Sequence, residues 1–233
     1  MDLTTDLLFY GTCLLLGVLV LGSLHRVKKT LRGGASMFAA SAALATWLAL
    51  NALIGFSGLL MPSPGKPPWF LAYLALVTAG TALIAASSLG DRLIRGLPIW
   101  WLAGFQCFRV PVELFLDLGY RDGAVPIQMT FEGNNFDILA GASALIILLV
   151  WRGKTPPRPL IWIWNLGSLG LLVNIVIIAV LSAPTPLRVF HNEPANVFVT
   201  AFPYVWLPGF LVQAAWLGHL LVFRYLWRTR SAA

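Results

Sequence analysis

The sequence predicts an all-α fold: a polytopic membrane helix bundle of seven transmembrane helices, N-terminus outside and C-terminus inside. Three observations carry that expectation. Hydrophobic residues make up 58% of the 233 and charged residues only 11%, against roughly 25% charged in soluble domains. Seven apolar runs stand between breaks rich in charge, Pro or Gly, and about 20 apolar residues cross a bilayer as one helix. The basic residues gather on every second connection, as topology signals do. That distribution makes the lipid bilayer, not nucleic acid, the partner of the +7 net charge.

The whole chain, 1–233, reads as a single transmembrane domain. Its first segment, 7–25, follows an acidic start without the positive region of a cleaved signal peptide, so it stays as a span. The second covers 35–60. The third covers 69–89, where Gly90 is placed to end it. The fourth, 98–119, opens on Pro98, and the seventh, 203–226, on Pro203, since proline suits a first helical position. The fifth, 136–152, can be capped by Asn135 or Asp137. It is short for a hydrocarbon layer of roughly 30 Å and needs the apolar stretch 124–131 packed beside it. The sixth covers 160–183.

Orientation follows from the loops. Arg26, Lys28, Lys29, Arg32, Arg92, Arg95, Arg152, Lys154, Arg158, Arg224, Arg228 and Arg230 fall on one side, and only Lys66, Arg121 and Arg188 on the other. The basic side faces the cytoplasm. Trp100, Trp101, Trp151, Trp162, Trp164 and Trp227 form an inner aromatic belt, Trp69 and Trp206 an outer one, and Trp47 and Trp216 serve packing. Cys13 and Cys107 lie in apolar runs, as buried thiols do.

Chemistry concentrates in the fourth segment. Arg109, Glu113 and Asp117 recur every four residues, Gln106 joins their stripe, and one helical face carries them all. A charge at the centre of a span costs about 2.5–3.5 kcal/mol, so such groups find partners inside the protein. Pro111 cannot donate to the Cys107 carbonyl and is expected to kink the helix. Two readings follow. Arg109 and Glu113 form a buried ion pair that locks the bundle, or the stripe lines an outward-opening cavity for a solute, an ion or a proton relay. The second acid, Asp117, favours the cavity. Which helices are neighbours is not legible, so the partner of Arg109 is open to other spans.

The long outer loops mix aromatic, amide and acidic residues. Glu132, Asn134, Asn135 and Asp137 in one, and His191, Asn192 and Glu193 in the other, are candidates for a gate over that cavity. The tract His191–Glu193 is too short for a helical ligand pair, and neither HExxH nor CxxC occurs, so no metal site is expected. His219 reads as a hydrogen-bonded core residue. Asn51, Asn165, Asn174 and Gln213 read as amides that bond between helices.

The tracts 129–139 and 183–196 resemble uncharacterised bacterial multi-span proteins. The resemblance implies a bacterial inner membrane and supplies no activity. Spans one to three and five to seven run in matching directions, which also fits a 3+1+3 parallel repeat as in small sugar transporters of the SWEET type. The outline resembles rhodopsins, but the seventh segment has no lysine for a Schiff base, so a retinal pigment is excluded and no cofactor is called for. The expected function is solute or ion binding in a transporter-like or sensor-like membrane protein, more a binder than an enzyme. The alternatives are an intramembrane enzyme using carboxylate acid/base chemistry with His191, and an accessory subunit of a larger complex. Oligomeric state stays open.

Overall fold

The computed structural model describes residues 1–30, 36–63 and 67–229. Arg32, Lys66 and Arg230 lie outside them. The described chain is all-helical, without strands among those residues. Its helices are α1 (Leu3–Thr30), α2 (Met37–Ser57), α3 (Trp69–Ala86), α4 (Ser88–Gly96), α5 (Ile99–Gly104), α6 (Arg109–Arg121), α7 (Asp137–Val150), α8 (Arg158–Ser182) and α9 (Val212–Arg228). Six stretches have the length and composition of membrane spans, counting 99–121 and 207–228 as one rod each. Aliphatic residues cover the outer faces of these rods, with Leu7, Leu53, Leu76, Leu83 and Ile163 all exposed, which marks a multi-pass membrane protein.

The fifth segment does not reach membrane length. α7 has 14 residues, which rise about 21 Å. The chain before it packs into the bundle, with Val125, Gln128, Met129 and Thr130 all buried.

Several helix ends differ from the sequence expectation. α3 ends at Ala86, because Ser87 caps a separate short helix, α4. Gly90 therefore lies inside α4, where a Cβ would meet the Ala85 carbonyl oxygen at 2.2 Å. Pro98 is the N-cap of α5, not its first residue. Pro203 lies in a turn, and the last rod starts at Leu207 with a π-helical turn that contains Pro208. The fourth rod breaks before Pro111, in a 3-10 turn over Phe105–Phe108. α6 restarts at Arg109, which puts Pro111 in a first turn, where the missing N–H has no partner to lose. The two triples of the suggested repeat also differ in length, 28 residues in α1 against 14 in α7.

Two apolar clusters form the core, one around Phe9, Phe115 and Leu211, the other around Ile99, Ile161 and Val222. The second lies at the basic end. There Asp91 of α4, an acid on the basic side, accepts from Arg95 (3.0 Å) and forms ion pairs with Arg224 (2.7 Å) and Arg228. Arg26 stacks over Trp100, 5.7 Å from the ring centroid. At the opposite end the Asp2 N–H donates to Asp122 (2.7 Å) and Tyr204 to Asp6. Three of the four amides act between helices as expected, and Asn174 instead bonds the loop before α7. Asn51 accepts from Tyr73, Gln213 accepts from Thr81 (3.0 Å), and Asn165 bonds His219 (2.8 Å).

Candidate functional site

Arg109 opens α6 after the 3-10 turn, ten residues or about 15 Å along the 23-residue rod. Its side chain is 2% exposed. α7 reaches it because Gly141, one turn into that helix, packs backbone to backbone. A Cβ there would meet the Val110 amide nitrogen at 2.7 Å. This approach delivers Asp137, the first residue of α7, where the amino end of a helix also favours an anion.

The guanidinium is fully engaged. Nε donates to Asp137 Oδ2 (2.6 Å) and Nη2 to Asp137 Oδ1, a two-pronged pair. Nη1 donates to Ser168 Oγ (2.8 Å) and to His219 Nε2 (3.2 Å), and Nη2 to the Ser168 carbonyl (3.1 Å). Arginine has five N–H donors and no acceptor, so five bonds exhaust it. Since Arg109 can only donate, His219 Nε2 accepts, and the ring hydrogen sits on Nδ1, facing Asn165 Oδ1 at 2.8 Å. One residue thereby ties α6 to α7, α8 and α9.

The expected Arg109–Glu113 pair is therefore replaced by Arg109–Asp137. Residues four apart on a helix are close, but Asp137 offers both oxygens in the plane of the fork, the stronger geometry. Arg109 also has no donor left to anchor an anionic solute. Glu113, 1% exposed, instead accepts from Asn135 Nδ2 (2.7 Å). Asn135 also donates to the Met129 carbonyl (3.0 Å) and accepts from the Asp137 N–H (3.0 Å). It thus accepts the first N–H of α7, whose N-cap is Phe136 rather than the expected Asn135 or Asp137, as well as holding Glu113. The other Glu113 oxygen has no hydrogen-bond partner among the described residues.

Glu113, Arg109 and Asp137 line a cavity of about 70 Å³. Its remaining wall is apolar, with Phe108, Leu172, Val199 and Leu211 among its residues. About 10–15 Å³ of such space holds one water, so the cavity takes a few waters or a hydrated ion and no sugar-sized solute.

The other expected residues scatter. Asp117 pairs with Arg121 (2.9 Å) one turn outward and does not line the cavity, so it marks no hydrated path from Glu113. Gln106 donates to the Ala215 carbonyl (2.9 Å) and braces the 3-10 turn against α9. In the outer loops only Asn135 and Asp137 reach the site. Glu132 and His191 are exposed, and Glu193 is exposed and bonded to Arg188 (3.0 Å). Arg188 and the Ala195 N–H hold the Glu193 carboxyl below its ordinary range. His191 is not among the residues lining the cavity, which removes the partner that the acid/base enzyme reading required. Asn134 accepts from Asn174 through its carbonyl (2.8 Å), and Asn192 donates to Gln128 (2.7 Å). Gln128 in turn donates to Ser182 (2.7 Å). These bonds make the outer loops a tied-down cap.

Sequence reasoning missed Ser168 and His219 as members of the site. Asn165 and Ser168, three apart in an otherwise apolar run, share a helical face, and that spacing was the available signal.

Comparison with curated proteins and with solved structures finds no match. A family model described as a domain of unknown function, DUF8737, matches residues 67–227. The match covers well over half of the chain, from just before α3 to the end of α9, and includes every residue of the Arg109 and Glu113 network. The chain belongs to the DUF8737 family.

Proposed function

We propose that this protein binds a proton or a small cation at Glu113, as part of a transporter-like or sensor-like activity in a bacterial inner membrane. One observation carries the reading. The buried network holds one cation, Arg109, and two carboxyl groups, Asp137 and Glu113. Asp137 balances Arg109 in a two-pronged pair, which leaves Glu113 as a surplus acid. An uncompensated charge in such surroundings is costly, and Glu113 faces a cavity with one oxygen unpartnered. A proton or a cation restores neutrality there.

In this reading α7 and the buried stretch before it make the seventh crossing. The basic end faces the cytoplasm by the positive-inside rule, so the amide-tied outer cap faces the periplasm. Cap opening between Gln128, Ser182 and Asn192 would admit water to Glu113. The cavity's size favours ion or proton traffic over passage of an organic solute.

Infrared difference spectroscopy on the purified protein tests the assignment. The expected result is a protonated-carboxyl band that Glu113→Gln abolishes, and that a bound cation diminishes when Na⁺ is raised. A spectrum that shows neither a protonated carboxyl nor any cation-dependent change assignable to Glu113 overturns it.

A further inference from the structure

A second and much larger space lies between α2 and the bundle. α2 is anchored by its second half. Gly55 packs so closely that a Cβ would meet the Phe202 amide nitrogen at 2.8 Å. Trp206 Nε1 donates to the Leu48 carbonyl (3.0 Å), and Trp47 Nε1 to the Gly209 carbonyl (2.9 Å). The part before Trp47 packs more loosely: no residue from Met37 to Thr46 is buried. The resulting crevice, about 960 Å³, is walled by α1, α2, α3, α4, α5 and α9 and the turns beside α5 and α9.

The wall specifies its occupant. It is mostly apolar, and the amides Asn51 and Gln213 in its middle are already satisfied. Asn51 donates to the Trp47 carbonyl (2.8 Å) and accepts from Tyr73. Gln213 donates to the Pro208 carbonyl (2.9 Å) and accepts from Thr81 (3.0 Å). Nothing there calls for water or a polar ligand. A gap of this size in a hydrocarbon layer forfeits contacts on every wall, so an acyl chain fills it. The basic end of the crevice carries Lys28 and Arg92. Neither has an acidic partner among the described residues, because Asp91 is taken up by Arg95, Arg224 and Arg228. Basic pockets between membrane helices bind anionic lipid headgroups.

We infer that this crevice is a binding site for one anionic phospholipid, its acyl chain along α2 and its headgroup phosphate between Lys28 and Arg92. The site is separate from Glu113 and does not depend on the function proposed there.

Native mass spectrometry of the full chain, released from nanodiscs of equal parts phosphatidylglycerol and phosphatidylcholine, tests the inference. The wild type is expected to retain one phosphatidylglycerol. The double variant Lys28→Gln/Arg92→Gln should lower its preference over phosphatidylcholine by about tenfold, and Lys28→Arg/Arg92→Lys should keep it. Gly80 lines the crevice, and a Cβ added there meets nothing within 4 Å. Gly80→Leu should therefore fold and expel the lipid. Equal retention of both lipids by the wild type, or an unchanged preference in the double glutamine variant, overturns the inference. So does a lipid-free dimer, which would mean that a second copy covers the crevice.

Discussion

At the scale of residues, Arg109 and Glu113 have opposite roles although they stand one helical turn apart. Arg109 is a hub, and every N–H it has is used. Removing one member of a buried ion pair costs about 3–5 kcal/mol, so Asp137→Asn should depress the melting temperature strongly in detergent at neutral pH. Glu113→Gln keeps an oxygen to accept from Asn135 and removes the surplus charge. It should melt at or above the wild-type temperature. A large drop for Glu113→Gln alongside an unchanged Asp137→Asn would reverse these assignments. That Arg109 needs a partner was legible in the sequence, because a lone charge in an apolar span demands one. The partner's identity was not, since Glu113 is near in sequence and Asp137 looks like a helix cap in a loop.

At the scale of elements, the close contacts were the hidden part. The apolar runs and their order came through in the sequence, because 20 apolar residues have few alternatives in a bilayer. Pro111 announced a disturbance in the fourth rod, which falls one turn earlier, at Phe105–Phe108; the short helix α4 did not come through, since a serine cap acts on local hydrogen bonds rather than on hydropathy. Gly141 is where an element contact governs the site. Adding a methyl against the Val110 amide pushes α7 from α6, and Gly141→Ala should cost about 1–3 kcal/mol, as overpacking does. Gly170 of α8 has open space around it, so Gly170→Ala should be neutral or slightly stabilising through helix propensity. Thermal melts of the two variants side by side check the contrast.

At the scale of the whole molecule, the two ends differ in charge. A membrane-impermeant thiol reagent should label Glu193→Cys in right-side-out vesicles and Lys154→Cys only in inverted ones, with Cys13 and Cys107 replaced by Ser. The opposite pattern would invert the bundle. Asp91 makes the basic end sensitive to acid. Partial burial works against its charge, but the Arg228 hydrogen bond and the charges of Arg224, Arg228 and Arg95 outweigh it and hold the carboxyl below its ordinary range. Its stabilising effect is therefore present above the unfolded-state value and lost as pH falls through the folded one. Asp91→Asn should lower the melting temperature at neutral pH, and the difference from wild type should shrink on acidification. Equal differences at both pH values would remove Asp91 from the account.

The shortness of α7 also bears on how the chain is made. A 14-residue segment that begins with an aspartate is a poor passenger for the translocon, because it falls short of the about 20 apolar residues a crossing takes and opens on a charge. The preceding rod brings the compensating arginine, which emerges from the ribosome first. In the seven-crossing reading proposed above, insertion of α7 is a joint event with its predecessor. Replacing Arg109 with Leu should leave α7 on the wrong side in a fraction of nascent chains, detectable by a glycosylation acceptor placed after Val150 and translated into microsomes. Biogenesis, and not only the finished bundle, would run through that one side chain.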